Sequence, residues 1–482
     1  MRATAALAAS LGFLLRLFFI LRFPATGTGD APFYIELAWN WAKKGVYGFL
    51  INGRLSPVDM RVPGYPAFLA AVFGIAGKSS TAVMLCQALI DVGTCFLVAR
   101  IAVTLAPEPS RKKVALAALW LAALCPFTAN YTAVVLTETL VTFLTALALL
   151  ILVQVEVRDD FETGEQAREG LLGRYFLGGM IVGLGTLVRP ETPLLLIAAG
   201  IVLLMRWWRP ANWPKLLRAS ALMAAGLLLP LIPWAARNWH TLHEVQFLAP
   251  HYTELTGEFA PLGLNRWVNT WLWRYGEVYL VTWKLDSEEI SIDDIPASAF
   301  DSADERARVA TILEQYDNTL TWTRGEDRQL GEIASERTAR VPLRTYLKIP
   351  LLRSLAIWFT PRVELLPLSG HLWPLSEKWE NDRDDLLATV AFISTNCIYL
   401  ALAFAGAWIS RREPGWALLI TFILVRTIYL SALADEAPEP RYVLECFPAI
   451  FALGAQVFRA DFNFLRRVPD ELSAGKSAES VP

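Results

Sequence analysis

Ten stretches of this 482-residue chain stay apolar for close to the length that carries a helix through lipid. A helix needs about 20 such residues to cross the hydrocarbon core. The stretches lie near 4–23, 81–105, 113–129, 134–155, 173–188, 192–206, 216–236, 387–409, 415–433 and 442–459. A backbone in lipid must satisfy its own hydrogen bonds, so the pattern predicts an all-α polytopic membrane protein. The charged fraction agrees: it is 19%, against roughly 25% in soluble domains. The first stretch carries Arg16 and Arg22 and is followed by no clear small-residue cleavage site, so it reads as a retained anchor.

Loop charge then sets an orientation, because cations near span ends favour the cytoplasm. Arg111, Lys112 and Lys113 follow the second stretch, and Arg206, Arg209, Lys215 and Arg218 separate the sixth from the seventh. Arg411 and Arg412 separate the eighth from the ninth, and Arg459, Arg466 and Arg467 follow the tenth. All share one side if the chain starts inside, which makes both termini cytoplasmic. Residues 1–236 are then a transmembrane module with a first outer loop, 24–80. Residues 237–386 form a mixed outer segment, 387–460 the closing transmembrane helices and 461–482 a cytoplasmic tail, its polar end 470–482 expected to be disordered.

Within the outer segments, 65–77 is apolar for only about thirteen residues, which suits an interfacial helix and not a crossing. The acidic run 286–305 reads as a solvated loop. Residues 346–359, which include Lys348 and Arg353, suit an amphipathic helix lying on a surface.

A net charge of −2 argues against nucleic-acid binding. Cys86, Cys95, Cys125, Cys397 and Cys446 show no metal-ligand spacing and read as free thiols packed like small hydrophobes. His240, His243, His251 and His371 read as surface histidines. No P-loop, GxSxG or dinucleotide fingerprint appears in a fitting context.

Polar groups where lipid meets the outer water are the candidates for chemistry, because ionisable groups there are expensive to hold. Asp30, in TGTGDAPFY, follows the first span. It can act as a general base, or simply satisfy a turn. Glu138, in LTETL, opens the fourth span, where it faces an outer cavity or favours the helix dipole. Arg61 begins RVPGYP, at headgroup depth, where a guanidinium can grip a phosphate or snorkel. Arg189 in LVRPE and Arg441 in EPRYV stand on the outer side against the usual charge bias. They either pair with Asp30, Glu138 and Glu191 or bind an anion.

The order of these motifs resembles the C-type membrane glycosyltransferases, in the bacterial branch related to protein O-mannosyltransferases and lipid A aminoarabinose transferases. The resemblance rests on Asp30, RVPGYPAFLA, Thr137–Glu138, the Gly183–Pro190 turn, and Arg441–Tyr442 with Pro448. It covers most of 1–236 and 387–460. It implies an inverting hexosyl- or pentosyltransferase of a bacterial plasma membrane. A sugar passes from a polyprenyl-phosphate donor to a lipid, glycan or protein acceptor on the extracytoplasmic face. By resemblance, Asp30 is the base, Glu138 orients a hydroxyl, and Arg61 holds the donor phosphate, with Arg189 and Arg441 as further phosphate candidates. Tyr34, Tyr65, Tyr442 and Glu191 are the candidate substrate contacts. Ala31 stands where many relatives carry a second acid, so no metal or other cofactor is expected. A secondary transporter, or a lipid-linked glycan polymerase or ligase, is the alternative.

Overall fold

The computed structural model describes residues 2–27, 29–159, 165–250, 259–433 and 439–459. The tail 461–482 and His251 therefore lie outside the described residues.

The chain opens with α1 (Arg2–Arg22) and continues into α2 (Ala31–Lys44), which Gly45 ends with a left-handed turn. A hairpin follows, β1 (Gly48–Ile51) antiparallel to β2 (Arg54–Pro57), in register Gly48↔Pro57. Then come α3 (Gly64–Ala76), α4 (Ser80–Thr104), α5 (Arg111–Ala123), α6 (Pro126–Tyr131), α7 (Glu138–Asp159), α8 (Glu165–Thr186), α9 (Leu194–Arg206) and α10 (Trp213–Leu242). The outer segment supplies α11 (Leu262–Val268), α12 (Ala303–Asp317), α13 (Arg324–Arg340), α14 (Ile349–Trp358) and α15 (Leu375–Asn381). The chain returns through α16 (Arg383–Ser410), α17 (Trp416–Ile428) and α18 (Phe447–Gly454).

Seven described spans are long and apolar enough to cross a membrane: Arg2–Arg22, Ser80–Thr104, Glu138–Val157, Pro210–Leu242, Arg383–Ser410, Trp416–Leu433 and Pro440–Arg459. The expected 113–129, 173–188 and 192–206 are not among them. The first divides because α5 stops at Ala123 and Pro126 starts a new helix. Helix α9 has 13 residues, and a rise of about 1.5 Å per residue makes that too short for a full crossing. Helix α3, also 13 residues, is short as expected.

Small residues bring α8 and α10 together. A Cβ at Gly179 would meet the Met223 carbonyl oxygen at 2.2 Å, and one at Gly226 would meet the Phe176 carbonyl oxygen at 2.2 Å. Such backbone-to-backbone approach supplies the van der Waals contact that lipid cannot. Between α1 and α4 the tie is ionic. Arg16, fully buried, reaches Asp91 at 2.5 Å and donates to the carbonyls of Gly12 and Ala123 at 2.7 and 2.8 Å.

The outer segment has a core of its own, built on Trp267, Trp271, Val309, Leu313, Tyr316, Leu330 and Ile333. The acidic run 286–305 keeps most of its carboxylates in solvent, as expected of a solvated loop, but Ile290, Ile295 and Ala299 are buried in that core. Its Asp301 and Glu305 are bound by Arg337, Arg340 and Arg344. In 346–359, Leu351 and Leu355 are exposed as an amphipathic helix requires, but Arg353 is buried. It donates to the Leu272 carbonyl at 2.8 Å and to Asn269 Oδ1 at 2.7 Å, pinning α14 to the outer segment. Of the five free cysteines, Cys397 on α16 is exposed and not packed away.

Candidate active site

Five connections between elements converge at one end of the helices. These are the turn after α1, the segment between β2 and α3, the approach to α7, the turn from α8 to α9, and the approach to α18. They enclose, together with Leu248–Pro250 and Tyr429, a cavity of ≈ 590 Å³.

The first acid enters on a turn. Gly29 takes φ 55°, a left-handed value natural to glycine, and Asp30 then stands at the N-terminus of α2 without a side-chain capping bond, which leaves its carboxylate to the cavity. The first guanidinium is aimed by the hairpin. Tyr47, just before β1, donates its hydroxyl to the Arg61 carbonyl at 2.7 Å, while Val58, Met60 and Val62 are buried. Arg61 Nη2 thereby stands 3.0 Å from Asp30 Oδ1, with both side chains partly open to the cavity.

A glycine brings the second turn against the first. The Gly64 amide donates to the Leu187 carbonyl at 2.6 Å, and a Cβ at residue 64 would lie 2.5 Å from that oxygen. No larger residue allows this approach, and it sets Arg61 and Arg189 in the same wall. Arg189 donates to Glu138 Oε1 at 3.1 Å and lies 3.5 Å from Glu191 and 3.7 Å from Glu445. Its guanidinium also rests on the Tyr442 ring, 4.4 Å from the centroid. Burial opposes its charge, but Glu191, Glu138 and Glu445 outweigh burial and raise its pKa. Glu191 is affected in reverse: burial would raise its pKa, yet Arg189 and Arg426 hold it below the usual carboxylate value.

The third guanidinium comes from the approach to α18. Arg441 pairs with Glu439 and lies 3.7 Å from Glu138 Oε1. Burial pushes the Glu439 carboxyl up to about 7, although Arg441 pulls it down. Behind this layer, Arg426 of α17 reaches Glu445 at 2.5 Å and the Tyr442 carbonyl at 2.8 Å. Glu138 Oε1 thus faces two arginines, whereas Glu138 Oε2 is buried with no hydrogen-bond partner among the described residues. A buried carboxylate oxygen left this way carries a desolvation cost that a hydroxyl donor would remove.

Asp30, Tyr34, Arg61, Glu138, Arg189, Glu191, Arg441 and Tyr442 all line the cavity. Tyr65 does not. It is fully buried behind Tyr34, edge to face at 5.1 Å, and donates to Gln87 Oε1 at 2.7 Å. Gln87 in turn holds the Val134 carbonyl at 2.7 Å, so Tyr65 supports the wall from outside. Glu439, Glu445 and Arg426 escaped the sequence reading. Arg426, a lone cation in TFILVRTIYL, had a readable signal, since a charge inside a span needs a partner. Among the described residues no three His, Cys, Asp or Glu gather as a metal site would require.

Residues 60–234 match the family model described as dolichyl-phosphate-mannose-protein mannosyltransferase, a stretch that holds Arg61, Glu138 and Arg189. No curated protein matches the chain by sequence. Among solved structures, an oligosaccharyltransferase of Archaeoglobus fulgidus tethered to an acceptor peptide superposes with TM-score 0.50 and 14% identity, over 95% of this chain and 49% of that one. The same archaeal enzyme with an inhibitory peptide and a dolichol-phosphate gives TM-score 0.50 and 12% identity, over 99% and 52%. The chain thus spans about half the length of those proteins, and the likeness is one of fold. ArnT from Cupriavidus metallidurans superposes with TM-score 0.37 and 12% identity, over 92% and 77%. The resemblance read from the order of motifs is borne out by the family model and the fold.

Proposed function

We infer that this chain, a multi-pass membrane protein of the C-type glycosyltransferase family, moves a sugar from a polyprenyl-phosphate donor to an acceptor hydroxyl, with inversion. The observation that carries the reading is the Asp30–Arg61 pair, 3.0 Å apart, opening onto a cavity that also holds Arg189 and Arg441. A carboxylate beside cations serves a displacement in which an alcohol loses a proton and a phosphate leaves.

Asp30 Oδ1 is held by Arg61, and Asp30 Oδ2 takes the proton of the acceptor hydroxyl. That oxygen attacks the anomeric carbon, the carbon–oxygen bond to the donor phosphate breaks, and the electron pair departs with the phosphate. Arg61 meets the charge that grows there, which is stabilisation spent where charge develops. Glu138 Oε2, short of a donor, accepts a hydroxyl of the sugar or the acceptor. Arg189 and Arg441 border the phosphate but remain tied to their carboxylates. The family model's description supports a prenyl-phosphate donor. The basic clusters at Arg111–Lys113, Arg206–Arg218 and Arg411–Arg412 stand at the other ends of the helices, which supports an extracytoplasmic cavity.

A transporter would carry its charges at the membrane midplane in a water-filled path. Here the mid-helix charges Arg16 and Asp91 are sealed against each other, and the cavity lies at the helix ends. The test is incubation of purified protein with a panel of prenyl-phosphate sugars, read by mass spectrometry for transfer or hydrolysis. Asp30→Asn should insert and fold but lose transfer, since an amide takes no proton. Transfer at the full rate by that variant would remove Asp30 as the base.

A further inference from the structure

Beyond the cavity, the outer segment presents an aromatic cluster that the mechanism does not use. Tyr275, Tyr279 and Trp283 pack edge to face, with centroid separations of 5.8, 6.1 and 4.6 Å. The phenol oxygens of Tyr275 and Tyr279 are 3.3 Å apart. Tyr279 is 48% exposed and Trp283 47%, although Trp267 and Trp271 of the same segment are buried in its core. The cluster is stiff. Glu277 accepts from the Trp273 and Arg274 amides at 3.0 and 3.1 Å, and the Trp283 amide donates to the buried Val278 at 3.2 Å. Rigid rings of this kind offer large contact area at little entropic cost.

Two observations say what covers it. The first is location: the Tyr275 phenol feels the charges of Glu439 and Arg441, and Arg441 is a wall of the cavity. The second is the rim. Arg274, Glu277, Lys284 and Asp286 border the rings in sequence, and Arg274 lies over Trp273 at 4.3 Å. An apolar face edged by hydroxyls and ions suits a pyranose, which has a face of C–H bonds and a perimeter of hydroxyls. Hydrocarbon is better matched by the exposed Leu351, Leu355 and Phe359 around α14.

We propose that Tyr275, Tyr279 and Trp283 form a saccharide-binding platform beside Arg441, which stacks a pyranose ring of the acceptor. The acceptor is thereby a glycan or glycolipid and not a bare peptide. This rests on the sugar-transfer reading and narrows its acceptor.

The test is saturation-transfer NMR on the full chain in detergent, with methyl pyranosides of glucose, mannose and N-acetylglucosamine as probes. At least one probe should receive saturation on its ring C–H protons, from the wild type and equally from Asp30→Asn. Trp283→Ala should weaken that binding roughly tenfold, equivalent to about 1.4 kcal/mol. Trp283→Phe should keep most of it, and Tyr279→Ser should lower it without touching the indole. Equal signal from wild type and Trp283→Ala overturns the platform. So does the absence of any probe signal together with weaker insertion of Trp283→Ala into lipid nanodiscs, which would make the cluster a bilayer contact. The two readings fail separately: full transfer by Asp30→Asn removes the base assignment and leaves the probe signal, whereas equal probe signals remove the platform and leave transfer intact.

Discussion

Replacing Arg61 by alanine separates a functional arginine from a structural one. Arg61 pairs with Asp30 at 3.0 Å and donates to the Met60 carbonyl at 3.0 Å, and the two paired side chains are 23% and 34% exposed. Pairs that water reaches are worth roughly 0.2–1 kcal/mol, so Arg61→Ala should cost at most about 1 kcal/mol of stability. If Arg61 grips a phosphate, the lost charge-assisted hydrogen bond is worth about 1.5–3 kcal/mol. That corresponds to a roughly 10- to 150-fold loss of donor affinity. Arg61→Lys, which keeps the charge but loses the planar fork, should fall between. Arg189→Ala supplies the contrast. Arg189 is 9% exposed and faces Glu138, Glu191 and Glu445, so its removal leaves buried carboxylates uncompensated, at about 3–5 kcal/mol. The assay is thermal unfolding in nanodiscs alongside competition binding of a prenyl phosphate. If Arg61→Ala melts as early as Arg189→Ala while its affinity for prenyl phosphate is unchanged, Arg61 is a strut and the donor assignment is wrong.

Three further outcomes follow from the buried charges. Glu439 titrates near about 7 because it is buried, whereas an unfolded glutamate releases its proton near about 4.3. Between those values the folded chain holds more protons, so stability should decline as pH rises through that window, and Glu439→Gln should flatten the decline in melts recorded at stepped pH. Donor binding should also weaken as pH passes 7, because ionised Glu439 then engages Arg441 more tightly, and the same variant should remove that step. Arg16→Leu strands Asp91 and should destabilise by about 3–5 kcal/mol. The double variant Arg16→Leu with Asp91→Leu should recover most of that in the same melt, and no recovery would deny that the pair acts as a unit.

Lipid made much of this molecule legible. A bilayer imposes one length and one charge rule on every crossing, so seven of the ten expected spans and the gathering of Asp30, Arg61, Glu138, Arg189 and Arg441 at one end could be read from the sequence. What lay beyond the sequence depended on direction. Tyr34 and Tyr65 both stand in the first turn of a helix, α2 and α3, yet only Tyr34 meets the cavity, because Gln87 captures the Tyr65 hydroxyl from behind. The acidic run 286–305 looked solvated because its carboxylates are dense. Most of it is exposed, but Ile290 and Ile295 anchor it in the core and Arg337 of α13, distant in sequence, holds the buried Glu305. The interruption after Ala123 was marked by Pro126 and needed only more weight on a proline inside an apolar run.

The cavity wall is balanced: Asp30, Glu138 and Glu191 stand against Arg61, Arg189 and Arg441, and each of these acids is within ion-pair reach of one of the arginines. An empty chamber of that balance gives no welcome to the anionic phospholipids that crowd a membrane surface, since each must compete with a resident acid for its arginine. Only a guest that also satisfies the lone oxygen of Glu138 recovers what it displaces. On the proposed sugar-transfer reading, the spent prenyl phosphate has lost the sugar hydroxyls that met that oxygen, which favours its release.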